Sequence, residues 1–205
     1  MKKVYRFFTI AAIAFGMTMA VSCSKDDDNN GGEGGGNTEN LPTTIDENFN
    51  NGIPSTWTNI DADGDGNVWI ASSVQFGDPC GPDGTECAAS ASYTNQLGPL
   101  NADNYLVSPK IYIEDGAVLT YDVTNFQAQF PDQYSVVIGT VENGTFKTEA
   151  TIVTERVSTG FYENGAYTSR RYDLSAYKGK SVCIAFRHHD NDAYWLLIDN
   201  VKVSK

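Results

Sequence analysis

From residue 45 onward the sequence predicts an all-β protein, and within that class a two-sheet sandwich. Its apolar or alternating runs are short and are separated by Gly, Pro, Asn and Asp, as strands between turns are. No segment keeps a helical apolar period. The final run, Ala193-Tyr-Trp-Leu-Leu-Ile198, is apolar on both faces, which suits a strand in the middle of a sheet.

Taken in order, the runs place strands near 45–49, 56–60, 68–73, 87–93, 104–108, 117–125, 133–140, 145–154, 167–173, 181–188 and 193–203. Side chains alternate faces along a strand, so Leu119, Tyr121 and Val123 share one face, and so do Tyr134, Val136 and Ile138. These two faces are the expected core of the sandwich. Asp190-Asn-Asp192 is the turn before the last strand.

Between the second and third strands lies Ile60-Asp-Ala-Asp-Gly-Asp-Gly66, flanked by Trp57 and Trp69. Asp61, Asp63 and Asp65 stand at alternate positions, and Gly64 and Gly66 permit a tight turn. Calcium takes six to eight oxygens, and carboxylates so spaced can converge on one ion. The string matches the first half of an EF-hand loop, but its twelfth position is Ser72 rather than Glu and no helical pattern flanks it. The same residues also suit a solvated Asp-Gly turn. Three neighbouring carboxylates repel one another without a cation, which favours metal.

The first 44 residues read as targeting and tether. Lys2, Lys3 and Arg6 precede an apolar stretch from Phe7 to Ala20, and Ala20-Val-Ser-Cys23 closes it with small residues, the pattern of a cleaved signal over 1–22. That closing segment resembles the lipobox of bacterial lipoproteins, with Cys23 the lipidated residue and Ala20 where Leu is usual. Ser24-Lys-Asp-Asp-Asp28 resembles the surface-export signal of Bacteroidetes lipoproteins. Residues 24–44 contain a single Leu among Asn, Gly, Asp and Thr, too few apolar groups to bury a core. As a flexible chain these 21 residues reach on the order of 25 Å. The expected location is the outer membrane, lipid-anchored and facing outward.

The whole chain of 205 residues carries a formal charge of −12, and residues 45–205 hold 10 Lys plus Arg against 21 Asp plus Glu. Such a domain repels nucleic acid and anionic membranes, so its contact with membrane is through the N-terminal lipid alone. Cys80 and Cys87 flank Gly-Pro-Asp-Gly-Thr-Glu and are spaced to close a small disulfide in an oxidising compartment. Cys183 reads as a buried free thiol.

Several separated blocks carry a family resemblance: Asp46-Glu-Asn-Phe-Asn-Asn-Gly-Ile-Pro54 with Trp57, the Asp loop, Asp103-Asn-Tyr-Leu-Val-Ser-Pro109, Arg171-Tyr-Asp-Leu-Ser-Ala-Tyr-Lys-Gly-Lys180 running into Ile184-Ala-Phe-Arg-His188, and Leu196-Leu-Ile-Asp-Asn-Val201. In this order, over 45–205, they resemble the cleaved-adhesin domain of the gingipain haemagglutinin regions, also met as the choice-of-anchor J domain. The resemblance implies a jelly-roll β-sandwich shaped like carbohydrate-binding modules, with bound calcium and no catalytic centre. It implies calcium contacts at Glu47, Asp61, Asp63, Asp65 and Asp199, with the Asn67 backbone carbonyl beside them. Where the family often ends its last strand with two acids, this chain has Asp199-Asn200.

The residues independently favour binding over catalysis. His188 and His189 are strand neighbours and point to opposite faces, so they cannot jointly chelate a metal. No Gly-x-Ser-x-Gly, His-Glu-x-x-His or phosphate loop occurs. Aromatics in the loops 125–134 and 159–167, namely Phe126, Phe130, Phe161, Tyr162 and Tyr167, are candidates to meet a ligand. The leading expectation is a non-catalytic module that binds glycans or extracellular proteins. A structural subunit of an envelope complex is the alternative, and a glycan hydrolase the third.

Overall fold

The computed structural model describes residues 40–205. The signal segment, Cys23 and all but the end of the tether lie outside the described residues. That end is already attached, since the Pro42 carbonyl accepts the Tyr112 N–H at 2.9 Å.

Fourteen strands occur among the described residues: β1 Ile45–Glu47, β2 Thr58–Asp61, β3 Ile70–Ala71, β4 Ala88–Ala91, β5 Tyr93–Thr94, β6 Gly98–Pro99, β7 Asn104–Val107, β8 Ile111–Tyr112, β9 Val118–Asn125, β10 Gln133–Glu142, β11 Thr145–Arg156, β12 Thr168–Asp173, β13 Ser181–His188 and β14 Trp195–Ser204. All eleven expected strands are present. The short β5, β6 and β8 were not expected, because two-residue pairings leave no periodic signal. The expected strand 68–73 ends early. At Ser72 the chain turns into a short helix, α1 (Ser72–Phe76), whose first residues are held by Glu86: the carboxylate accepts the Ser72 hydroxyl at 2.5 Å and the Ser73 N–H at 2.9 Å. A second short helix, α2, spans Phe161–Asn164.

The strands form the two sheets of a jelly-roll β-sandwich. One has the order β12-β9-β14-β4-β3 with β1 also on β14, and the other β11-β10-β13-β7-β2 with β8 on β13. All pairings between named strands are antiparallel. Leu119, Tyr121 and Val123 of β9 meet Tyr134, Val136 and Ile138 of β10 in one core with Ile184, Phe186, Leu196 and Ile198. Both faces read from the alternation are therefore inside. A polar contact within this core is satisfied, Tyr121 Oη to Tyr134 Oη at 2.8 Å, with the Tyr134 hydroxyl donating to Glu155 at 2.5 Å.

A second apolar cluster, Ile60, Tyr105, Val107, Val137, Phe146, Cys183 and Ala185, lies apart from that core. Phe146 packs 5.6 Å from Tyr105, although β13 separates β10 from β7 in the sheet. The tip of the β10–β11 hairpin therefore folds back over the sheet. Two register shifts in that hairpin permit the bend. Gly139 permits the close approach, since a Cβ there would stand 2.0 Å from the Lys147 carbonyl.

β14 is the central strand the sequence suggested. One edge pairs with β9 and the other is shared, with β4 opposite 195–198 and β1 opposite 201–203. The two partners leave a gap at Asp199-Asn200. There β14 slips register against β9, and Asn200 takes a left-handed φ of 52°, which Asn tolerates better than most residues.

Candidate functional site

Two acidic groups and one aromatic cleft hold the chemistry. The first acidic group is the Asp loop. Asp61 ends β2, and Asn59 pins the return of the chain by pairing both backbone groups of Trp69, at 2.7 and 3.1 Å. The Asp61 carboxylate accepts the N–H of Gly64 at 2.7 Å and of Gly66 at 2.8 Å, with both glycines at positive φ. Asp65 accepts the Asn67 N–H at 2.7 Å, and Asp63 accepts the Asp103 N–H at 3.0 Å. Asp103 is itself fixed by a two-bond pair with Arg187, at 2.6 and 2.9 Å. One oxygen from each of Asp61, Asp63 and Asp65 lies within 4.8 Å of the others. The hydrogen bond from Asp63 lowers the Asp61 pKa, whereas burial and Asp61 raise that of Asp63. Such splitting marks two carboxylates too close to ionise independently.

Asp199 lies at a second position, in the gap along β14. It is 1% exposed, and burial lifts its pKa to about 7. Its main charged neighbours, Asp122, Asp83 and Glu47, raise it further, and the Asn200 N–H at 2.7 Å is its one hydrogen bond among the described residues. The Glu47 carboxylate is partly engaged by the Phe49 N–H at 2.8 Å. That bond holds Phe49 at a φ of 51°, unusual for so bulky a residue, with its ring edge-on to Trp57. Asn200, where the family often has an acid, donates its amide to Asp122 at 2.9 Å. Pairing β1 with β14 thus brings Glu47 towards Asp199 as the sequence suggested. Asp83 and Asp122 were missed, because nothing in their local sequence links them to β14.

The segment 80–87 packs against this gap, and a Cβ on Gly81 would stand 2.9 Å from Asp199 Oδ2. The expected Cys80–Cys87 bond is not formed, and both are buried free thiols, as is Cys183. The Tyr167 hydroxyl donates to the Cys80 carbonyl at 2.7 Å and lies 3.4 Å from Cys87 Sγ. Burial pushes the two thiols up to about 11 and about 12, leaving them in the unreactive protonated form.

The aromatic cleft, about 480 Å³ in volume, is lined by Tyr93, Asn95, Gln127, Phe130, Asp192 and Tyr194. It gathers the β5–β6 hairpin, the loop after β9 and the turn before β14. Of the five aromatics chosen from sequence, Phe130 lines it, 41% exposed, and Tyr162 is 70% exposed on α2. The other three are not presented as expected. Phe126 is stacked 4.0 Å on Phe76, and Phe161 and Tyr167 pack with it against a cluster around Trp195. Tyr93 and Tyr194 were missed because each adjoins a buried strand and reads as part of it.

Beneath the cleft lies a buried polar network. Asp132 and His188, both fully buried, meet at 2.9 Å through His188 Nε2, while His188 Nδ1 lies 2.9 Å from Ser90 Oγ. The Asp132 carboxylate also accepts the Ser92 hydroxyl at 2.6 Å and the Tyr194 N–H at 3.2 Å. Ser92 in turn accepts the N–H of Ala193 through its hydroxyl and of Asp192 through its carbonyl. These Ser, His and Asp residues are sealed in the sandwich and fix the cleft wall. Paired this way, they have no accessible nucleophile to offer.

Two packed antiparallel sheets with this strand order define a β-sandwich of the jelly-roll class. The model for the Cleaved Adhesin Domain matches residues 42–203, and the chain belongs to that family. It is 33% identical over 175 residues to Hemagglutinin A of Porphyromonas gingivalis and 31% identical over 174 to Lys-gingipain W83 of the same species. Each match covers 78% of this chain but only 6% and 10% of those longer proteins. Among solved structures, the K1 cleaved adhesin domain of Lys-gingipain matches with a TM-score of 0.68 at 27% identity, over 79% of this chain and 98% of that one. The K3 domain matches at 0.65 and 30%, over 78% and 96%. A carbohydrate-binding module in complex with β-1,4-galactotriose shares the fold at a TM-score of 0.51 and 10% identity, over 78% and 94%.

Proposed function

We propose that this chain is a non-catalytic adhesion module held at the outer cell surface by lipid on Cys23, and that it engages glycans or extracellular proteins through the loop cleft. The observation that carries the reading is the cleft itself, in which three rings stand beside polar side chains that make no hydrogen bond among the described residues. Apolar walls with a few free polar groups are the usual make-up of a ligand site. The test is binding of the full chain to a glycan array and to immobilised extracellular proteins, alongside Tyr194→Ala. Ligands retained by wild type and lost by the variant support the cleft, and ligands retained equally by both remove it.

Calcium belongs to the same reading as a brace. The Asp61, Asp63 and Asp65 oxygens suit a hard cation, with the Asn67 carbonyl adjacent in sequence, and the acid-lined gap around Asp199 and Glu47 suits a second. A bound ion there would stabilise the folded state by mass action. Melting the protein in calcium and in chelator tests this, with a higher Tm expected in calcium.

A further inference from the structure

Resting on the cleft as the binding site, we propose that its occupant is a cationic side chain, an ammonium or guanidinium, carried by an extracellular protein. The rings supply the first argument. Tyr93 and Phe130 each stand 6.2 Å from Tyr194 between centroids, at interplanar angles of 43° and 54°. They are tilted walls rather than one flat platform. A cation gains from each π face it meets, and it can meet several at once in such a recess.

Charge supplies the second argument. Asp192 is exposed at the rim, and its carboxylate makes no hydrogen bond or ion pair among the described residues. Arg156, a basic group of the same region, is committed to Asp190 at 2.6 and 3.1 Å and to the Pro131 carbonyl. Asp192 is therefore left without a partner of opposite charge among the described residues. The side-chain amides of Asn95 and Gln127, also unbonded, add carbonyl acceptors for the donors of an ammonium or guanidinium. A neutral sugar could donate its hydroxyls to the carboxylate as well, but only a cation adds charge compensation there, and an anionic ligand would be repelled. The formal charge of −12 on the chain steers cations in the same direction.

The geometry is built, not incidental. Asp192 sits at a left-handed φ of 56°, with its N–H bound to the Ser92 carbonyl at 3.2 Å. Tyr194 is tied to buried Asp132 through its own N–H.

The experiment titrates the full chain with N-acetyl, C-amide tripeptides Gly-Arg-Gly and Gly-Lys-Gly. Their neutral counterparts carry citrulline and norleucine, and methyl glycosides serve as sugar probes. Binding is followed by calorimetry and by the NMR signals of Tyr93 and Tyr194. The cationic peptides should bind at least about tenfold more tightly than their neutral counterparts, and added salt should weaken them. Asp192→Asn keeps a residue that tolerates the left-handed φ, so it should leave the Tm unchanged while costing about fivefold or more in affinity. Equal binding of citrulline and arginine peptides, or no effect of Asp192→Asn, overturns the cationic assignment. Sugars shifting the tyrosine signals while the cationic peptides do not overturns it too, yet leaves the cleft as the binding site. If no probe shifts those signals and Tyr194→Ala retains every extracellular protein that wild type captures, the cleft reading falls as well.

Discussion

Asp132 and Asp199 are both buried carboxylates, 0% and 1% exposed, yet their surroundings are opposite. Asp132 is met by donors: the Ser92 hydroxyl, His188 Nε2 and the Tyr194 N–H. Among the described residues Asp199 has the single N–H of Asn200, and its strongest charged neighbours are acids. Burial is costly for any carboxylate and tolerable only when its lone pairs are satisfied. Asp132 is satisfied by the chain and so serves as a fixed strut beneath the cleft. Asp199 is not, and its raised pKa leaves it needing a proton or a cation.

The sharpest way to break this contrast is to remove each carboxylate. Asp132→Ala strands His188, Ser92 and the Tyr194 N–H in the interior, and should cost on the order of 3–5 kcal/mol in denaturant unfolding, with or without calcium. A loss below about 1 kcal/mol would show that the network is not a strut.

Asp199 should behave the other way, with an effect that depends on pH. Its folded pKa of about 7 stands above the ordinary value of 3.8. Between those values the folded protein holds a proton that the unfolded chain has released, so stability in chelator falls as pH rises from about 4 to about 7 and is level above. The fall should be about 2–4 kcal/mol. Asp199→Asn should flatten it, and calcium should flatten it for wild type. A slope identical in wild type and variant would clear Asp199 of the role.

How far the sequence reveals these two residues differs for a physical reason. Alternation located the core faces of β9 and β10, and double-sided apolarity located β14 at the centre, because strand period and burial are local properties. The Asp loop was equally legible, as its three carboxylates converge within one turn. The cleft was not. Tyr93, Phe130 and the Asp192–Tyr194 turn come from three connections far apart in sequence, and Phe126, Phe161 and Tyr167, which looked like loop aromatics, are drawn inward by Phe76 and by the cluster around Trp195. Polarity of neighbouring residues does not reveal that a loop folds back onto the sandwich.

The Asp loop offers a smaller, exposed counterpart to Asp199. Its backbone hydrogen bonds already satisfy part of each carboxylate, so a cation should add less there. Asp61→Ala with Asp63→Ala should remove part of the calcium-dependent rise in Tm, and Asp199→Asn the larger part. Calcium titrations followed by calorimetry should show one site lost in each variant, and an unchanged count in either would assign the brace to the other group alone.

The smallest effect on stability is expected at the cleft periphery. Tyr162 is 70% exposed on α2 and meets the interior through the edge of the ring cluster, 5.9 Å from Phe126. Its replacement by Ala removes little buried surface, so unfolding free energy should change by less than about 0.5 kcal/mol. An exposed aromatic held near a ligand cleft still adds contact area at low entropic cost. Binding of a large partner should therefore weaken by a few fold while binding of a tripeptide confined to the Tyr93–Phe130–Tyr194 recess stays unchanged. If both weaken equally, the recess extends to α2, and the distinction between a preformed pocket and its outer rim disappears.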